Sequence, residues 1–175
     1  MVAKTCLAAL SLVLLSACAA ARSGELRIPN FDHLDRKASD KTSVSLSGPL
    51  LRLALRLSDA DDKDPVRQLL AQLKRVQVRS YEFAADHAYT QGDLDLVRNQ
   101  LQTPQWSQVV KVRNPKDDEQ VDIFVYIENG ESQGLAIISA EPRALTIVNV
   151  VGSISIEQLA RVRGQLGIPK ITAQD

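Results

Sequence analysis

The sequence predicts an α+β fold, an antiparallel sheet built as a meander of about four to six strands with helices packed on one face. Three observations predict it. Four short segments of alternating apolar residues follow one another closely over 107–151, and Asn129-Gly130 joins the middle two. Links this short force antiparallel neighbours, because a parallel pair needs a long crossover. Segments with helical apolar spacing lie upstream and at the C-terminal end rather than between those strands, which separates this pattern from a βαβ repeat.

Each element has its own local reason. Thr42 to Ser47 alternates Val44 and Leu46 against serines and reads as a short strand. Gly48-Pro49 then opens a helix with proline at its first position. Leu50, Leu51, Ala54, Leu55 and Leu57 give that helix a broad apolar side and predict that it is well buried. Asp64-Pro65 reads as an N-cap and first-turn proline, followed by the stripe Val66, Leu69, Leu70 and Leu73. Arg75 to Phe83 is a strand with Val76 and Val78 on one face and Arg75, Gln77, Arg79 and Tyr81 on the other. Asp93 is expected to cap a third helix, with Leu94, Val97 and Leu101 inward and Pro104 near its end. The meander follows as Ser107–Arg113, Val121–Glu128, Gly134–Ser139 and Ala144–Val151. Asn129-Gly130 suits its central hairpin because both turn positions want positive φ. Ser155-Ile156-Glu157-Gln158 has the spacing of a capping box and opens a last helix, with Ile156, Leu159, Ala160 and Leu166 inward.

The N-terminus is a different kind of sequence. Lys4, an apolar run from Cys6 to Leu15 broken by Ser11, and the small residues after it form a secretory signal peptide over 1–17. The run is too short to cross a bilayer, which takes about 20 apolar residues. Leu15-Ser16-Ala17-Cys18 resembles the lipobox of bacterial lipoproteins. The resemblance implies cleavage before Cys18, acylation of Cys18 (palmitate among its chains) and attachment to the membrane through it. Several chains on one residue anchor stably where one chain holds only reversibly. The rival reading is ordinary cleavage near Ala17-Cys18-Ala19 or Ala19-Ala20-Ala21, which would release a soluble protein. Lipoproteins retained at an inner membrane often carry Asp after the cysteine; Ala19 stands there, so the resemblance implies an outer-membrane lipoprotein facing the periplasm.

The resulting organisation is a signal peptide over 1–17, a lipidated N-terminus and tether over 18–41, one α+β domain over 42–166, and a tail over 167–175. Phe31 and Leu34 are the tether residues suited to docking on the body. The whole chain has 21 basic and 21 acidic side chains; loss of residues 1–17 removes Lys4 and leaves 158 residues at net −1. A near-neutral chain without a basic stripe excludes a nucleic-acid binder. With Cys6 removed and Cys18 capped, the domain has no thiol for a disulfide, a thiolate metal site or a nucleophile.

Little in the rest of the chain spells chemistry. Asp59 to Asp64 is rich in carboxylates but misses the calcium-loop pattern, with Lys63 at its fifth position and no Gly at the sixth. It reads as a solvated loop. His33 and His87 each follow an aspartate. A hydrolase or metal-dependent enzyme built on these histidines and nearby carboxylates is the alternative function, and it needs the N-terminal segment to fold back onto the 84–92 loop. No nucleophile motif, metal-ligand repeat or phosphate-cradling glycine loop supports it, so neither a cofactor nor a metal is expected. Trp106 reads as a core or edge-packing residue, and Asn149 as a polar residue with a structural hydrogen bond.

The most informative set lies on the side of the sheet away from the aliphatic positions. If Val121, Ile123, Val125 and Ile127 face the helices, then Asp122, Phe124, Tyr126 and Glu128 face outward. Arg75, Arg79, Tyr81, Lys111 and Arg113 join them from neighbouring strands. Arg75, Arg79, Tyr81, Lys111, Arg113, Phe124 and Tyr126 form the candidate binding face for an envelope protein partner. A solvated face held by cross-strand pairs is the bland alternative.

Four segments carry a family resemblance: Ile28-Pro29-Asn30-Phe31-Asp32, Val76 to Tyr81, Gln105-Trp106, and Leu145 to Ile154. Behind a lipobox, the chain resembles the bacterial lipoproteins grouped as domain of unknown function 4252, over about residues 26–164. These motifs are structural and carry over no catalytic residue. The resemblance implies a role in envelope signalling or maintenance. The functional expectation is therefore a lipid-anchored, non-enzymatic binding or signalling module in the periplasm.

Overall fold

The structure, a computed structural model, describes residues 23–57 and 64–154. The Asp59–Lys63 cluster, Cys18 and the helix expected after Ser155 lie outside the described residues. The elements are α1 (Asp32–Lys37), β1 (Ala38–Ser47), α2 (Gly48–Leu57), α3 (Pro65–Gln72), β2 (Leu73–Phe83), α4 (Gln91–Arg98), β3 (Trp106–Asn114), β4 (Glu119–Glu128), β5 (Glu131–Glu141) and β6 (Ala144–Gly152). The six strands form one sheet in the order β1-β2-β6-β5-β4-β3, with every pair antiparallel. The fold is α+β.

The meander forms for local reasons. Asn129 and Gly130 both adopt positive φ, at 54° and 79°, as a two-residue hairpin turn requires. Pro142-Arg143 closes the next hairpin equally tightly. β2 then adds to β6 from the far end of the sequence, with Val78 opposite Val148 and Tyr81 opposite Leu145.

Alternation sorts the strand residues onto two faces, and helices cover both of them rather than the one face expected, because both carry apolar residues. Leu51 of α2 and Leu69 of α3 pack with Leu73, Val125, Leu135 and Ile154, over half-buried Val76, Ile123, Ile137 and Val150. That is the aliphatic face expected to meet helices. On the other face Leu26, Phe31 and Leu34, with Leu94, Val97 and Leu101 from α4 and the 3-10 turn after it, cover Tyr81, Phe83, Ile138, Leu145 and Ile147. Residues 24–37 are therefore part of the domain rather than a tether. Each buried leucine there contributes about 1.5–3 kcal/mol, enough to order a short segment.

Asn149 fixes the path of that segment. Its Nδ2 donates to the Gly24 carbonyl at 3.0 Å and to the Leu135 carbonyl at 3.2 Å, while its Oδ1 accepts the Leu26 N–H at 3.0 Å. Glycine at 134 permits the close approach: a Cβ there would sit 2.9 Å from the Gly24 Cα.

Two local expectations change. Thr90, not Asp93, is the N-cap of α4; Asp93 is the N3 partner of a capping box, with each side chain bonded to the other's backbone N–H. α2 is not well buried, because only Leu51 reaches the core while Leu50, Leu53 and Leu57 remain exposed.

Candidate functional site

The seven residues of the expected binding face do lie on one side of the sheet, but much of that side is not open. Tyr81 is fully buried, edge-on to Phe31 and stacked on Phe83 at centroid distances of 6.3 and 6.2 Å. Burial raises its hydroxyl pKa above the ordinary tyrosine value, against an opposing effect of Arg79. Arg79 Nη1 donates to the Pro29 carbonyl at 2.7 Å, and Arg75 pairs with Glu25 at 2.9 Å. Three residues offered to a partner are thus engaged by the chain's own N-terminal segment. Tyr126 packs edge-on against Trp106 at 5.2 Å, which places Trp106 as an edge-packing residue.

What stays open is the other end of the same face. Gln108, Lys111 and Arg113 from β3, Asp122 and Phe124 from β4, and Arg98 and Gln102 from the end of α4 line a groove of about 290 Å³. Its floor is a carboxylate. Asp122 is 1 % exposed, yet Arg98 Nε and Nη2 reach its Oδ2 at 3.0 and 2.7 Å, and Arg113 Nη2 reaches Oδ1 at 2.8 Å. Arg113 Nη2 also reaches Oδ2 at 3.0 Å, and Gln108 Nε2 adds a fifth bond at 2.8 Å. A buried charge is tolerated only when paired and hydrogen-bonded, and this one is saturated.

Among its lining residues the groove carries three cations and one anion, and Arg98 Nη1 also faces Asp95 Oδ1 of α4 at 4.0 Å. Lys111 is exposed on its rim and makes no ion pair among the described residues. Of the expected residues, Lys111, Arg113 and Phe124 converge here. Arg98 was not among them, although a lone aspartate inside an apolar strand implies a cation nearby.

The two histidines pair with different carboxylates. His33 Nε2 lies 2.9 Å from Asp93 Oδ1, tying α1 to the start of α4. Burial works against ionisation of Asp93, but the Thr90 N–H and hydroxyl and then His33 outweigh it and hold the carboxyl below its ordinary value. His87 stands in a loop at φ 57°, largely exposed, with Nδ1 3.5 Å from Asp118 Oδ2. Each imidazole meets its own carboxylate. Among the described residues no group of three His, Cys, Asp or Glu side chains is placed to hold a metal ion.

A family model, described as a domain of unknown function (DUF4252), matches residues 34–162. The chain belongs to the DUF4252 family. No curated protein matches it. The DUF4252 match opens at Leu34, so Leu26 and Phe31, which complete the core on the aromatic face, precede it. The basic groove lies wholly within the DUF4252 match. No helix among the described residues is long and apolar enough to cross a membrane.

Proposed function

We propose that this DUF4252 protein is a lipid-anchored envelope protein, acylated at Cys18 and held at the outer membrane facing the periplasm. Its domain is a non-enzymatic binding or signalling module. Support for the anchor is the lipobox-like Leu15-Ser16-Ala17-Cys18 after a basic start and a short apolar run. The observation that carries the binding role is the groove over Asp122, where Arg98, Arg113 and Lys111 surround one already saturated carboxylate. The surplus positive charge suits an acidic segment of an envelope protein. Arginines already held in place lose little side-chain freedom when they bind a second carboxylate.

Photo-crosslinking in intact cells tests the module. A crosslinking amino acid in place of Gln102, on the groove rim, should capture a discrete protein. Lys111→Glu should abolish the capture without changing the melting temperature. Capture that survives Lys111→Glu, or no capture by a folded protein, would contradict the binding role.

A further inference from the structure

We infer that α2 is a membrane-docking helix that seats the domain on the phospholipid surface beside its anchor; the inference rests on the lipid-anchored reading above. Within α2, Leu51 is buried, whereas Leu50 and Leu53 are each 50 % exposed and Leu57 is 76 % exposed. At positions i, i+3 and i+7 these three form one stripe. Arg52 and Arg56 are exposed beside it, and the helix carries no acidic residue. Val44 and Leu46 of β1, each 38 % exposed, extend the apolar surface on the same face of the sheet. Leucines flanked by arginines on a surface helix fit the boundary between phosphate headgroups and acyl chains, where the apolar side is buried and the guanidiniums pair with phosphate.

The position of the chain's N-terminal end selects a lipid surface as the occupant. Arg75 is the shared landmark. It is the cross-strand partner of Ser47, the residue before α2, and it pairs with Glu25, just after Gly24. Gly24 is held to Asn149, and Cys18 lies only six residues upstream of it. Fully extended, those residues reach about 20 Å. An acyl anchor at Cys18 would therefore keep the start of α2, at the same end of the sheet as Gly24, within reach of the bilayer, and the exposed stripe from Leu50 to Leu57 runs about 10 Å along the helix.

The test uses the full chain as produced by cells, reconstituted on vesicles of phosphatidylethanolamine and phosphatidylglycerol. An environment-sensitive fluorescent amino acid replaces Leu53, or Lys116 in the β3–β4 turn as a control. Brominated acyl chains should quench the probe at position 53 by at least about twofold and leave the control unchanged. Arg52→Glu with Arg56→Glu should remove most of that quenching while the protein stays folded. A water-exposed probe at 53 would overturn the inference. So would a blue-shifted probe that brominated lipid does not quench, since a protein surface, whether a second copy or the chain's own C-terminal residues, would then cover the stripe. Mass spectrometry of Cys18 on the same sample reports the anchor separately. An acylated protein with a water-exposed probe loses only the docking helix, and a non-acylated one loses the anchor whatever the probe shows.

Discussion

Asn149 accepts the backbone N–H of Leu26 on its side-chain oxygen at 3.0 Å, across 123 residues of sequence. This bond, with the one its amide donates to Gly24, turns an N-terminal segment into part of the core. Both ends of the arrangement are buried, so its loss leaves polar groups without water. Asn149→Ala should cost about 2–4 kcal/mol, since it orphans the Leu26 N–H and the Gly24 carbonyl. Urea denaturation would measure the loss, and hydrogen exchange at Leu26 should accelerate more than exchange in β4. A stability unchanged within about 0.5 kcal/mol would show that the segment is held by its apolar residues alone.

Gly134 supports the same contact from below. In Gly134→Ala the new methyl would meet the Gly24 Cα at 2.9 Å and the Gly24 carbonyl oxygen at 3.0 Å, both backbone atoms fixed by Asn149. A cost of about 1–3 kcal/mol is expected. It should be largely non-additive with Asn149→Ala, because the two substitutions release one segment; full additivity in a double-mutant cycle would contradict the shared contact.

The ion cluster in the groove makes a second, independent prediction. Asp122→Ala leaves Arg98 and Arg113 crowded together without their carboxylate and should destabilise by about 2–4 kcal/mol. Replacing Asp122 and Arg98 together, as Asp122→Leu with Arg98→Met, should recover part of that loss, because it removes the desolvation cost of both groups while Arg113 and Gln108 turn to solvent. Calorimetry of the two variants decides it. A double variant as unstable as Asp122→Ala would mean that the carboxylate itself, and not the pairing, holds β4 to α4.

Acid sensitivity follows from Asp93. Its folded pKa lies below its ordinary value, so its contribution is complete above the unfolded value of about 3.9 and is lost as pH falls through the folded one. Asp93→Asn should lower stability at neutral pH and flatten the decline below about pH 4. His33→Asn should reproduce part of the neutral-pH loss. An unchanged acid limb in Asp93→Asn would assign acid unfolding to other carboxylates.

Much of this architecture was legible because its causes are local. The strands of the meander announce themselves by alternation, and Asn129-Gly130 by turn chemistry that depends on two residues. Asn149 stood out as a polar residue in an apolar strand, and its structural hydrogen bonds agree with that reading. The covering of the aromatic face was not legible. Leu26, Phe31 and Leu34 sit in a polar, proline-containing stretch without periodicity, and only the long-range contact with Tyr81 and Leu145 reveals their role. The same contact explains why Arg75, Arg79 and Tyr81 share a face yet are not free. Arg98 escaped because its partner Asp122 is 24 residues away on another element. The cap of α4 shifted by three residues because Thr90 and Asp93 both suit a helix start, and only the reciprocal bonds tell cap from N3.

The proposed acylation of Cys18 underlies both the proposed envelope location and the proposed docking of α2, and one measurement tests it most directly. Cells expressing the full chain or its Cys18→Ser variant would be fed an alkyne-bearing palmitate analogue, and the purified proteins examined for label and for the mass of the N-terminal peptide. The wild-type chain should carry the label on a peptide beginning at Cys18, and Cys18→Ser should carry none. A wild-type chain without label, or equal labelling of Cys18→Ser, would contradict it.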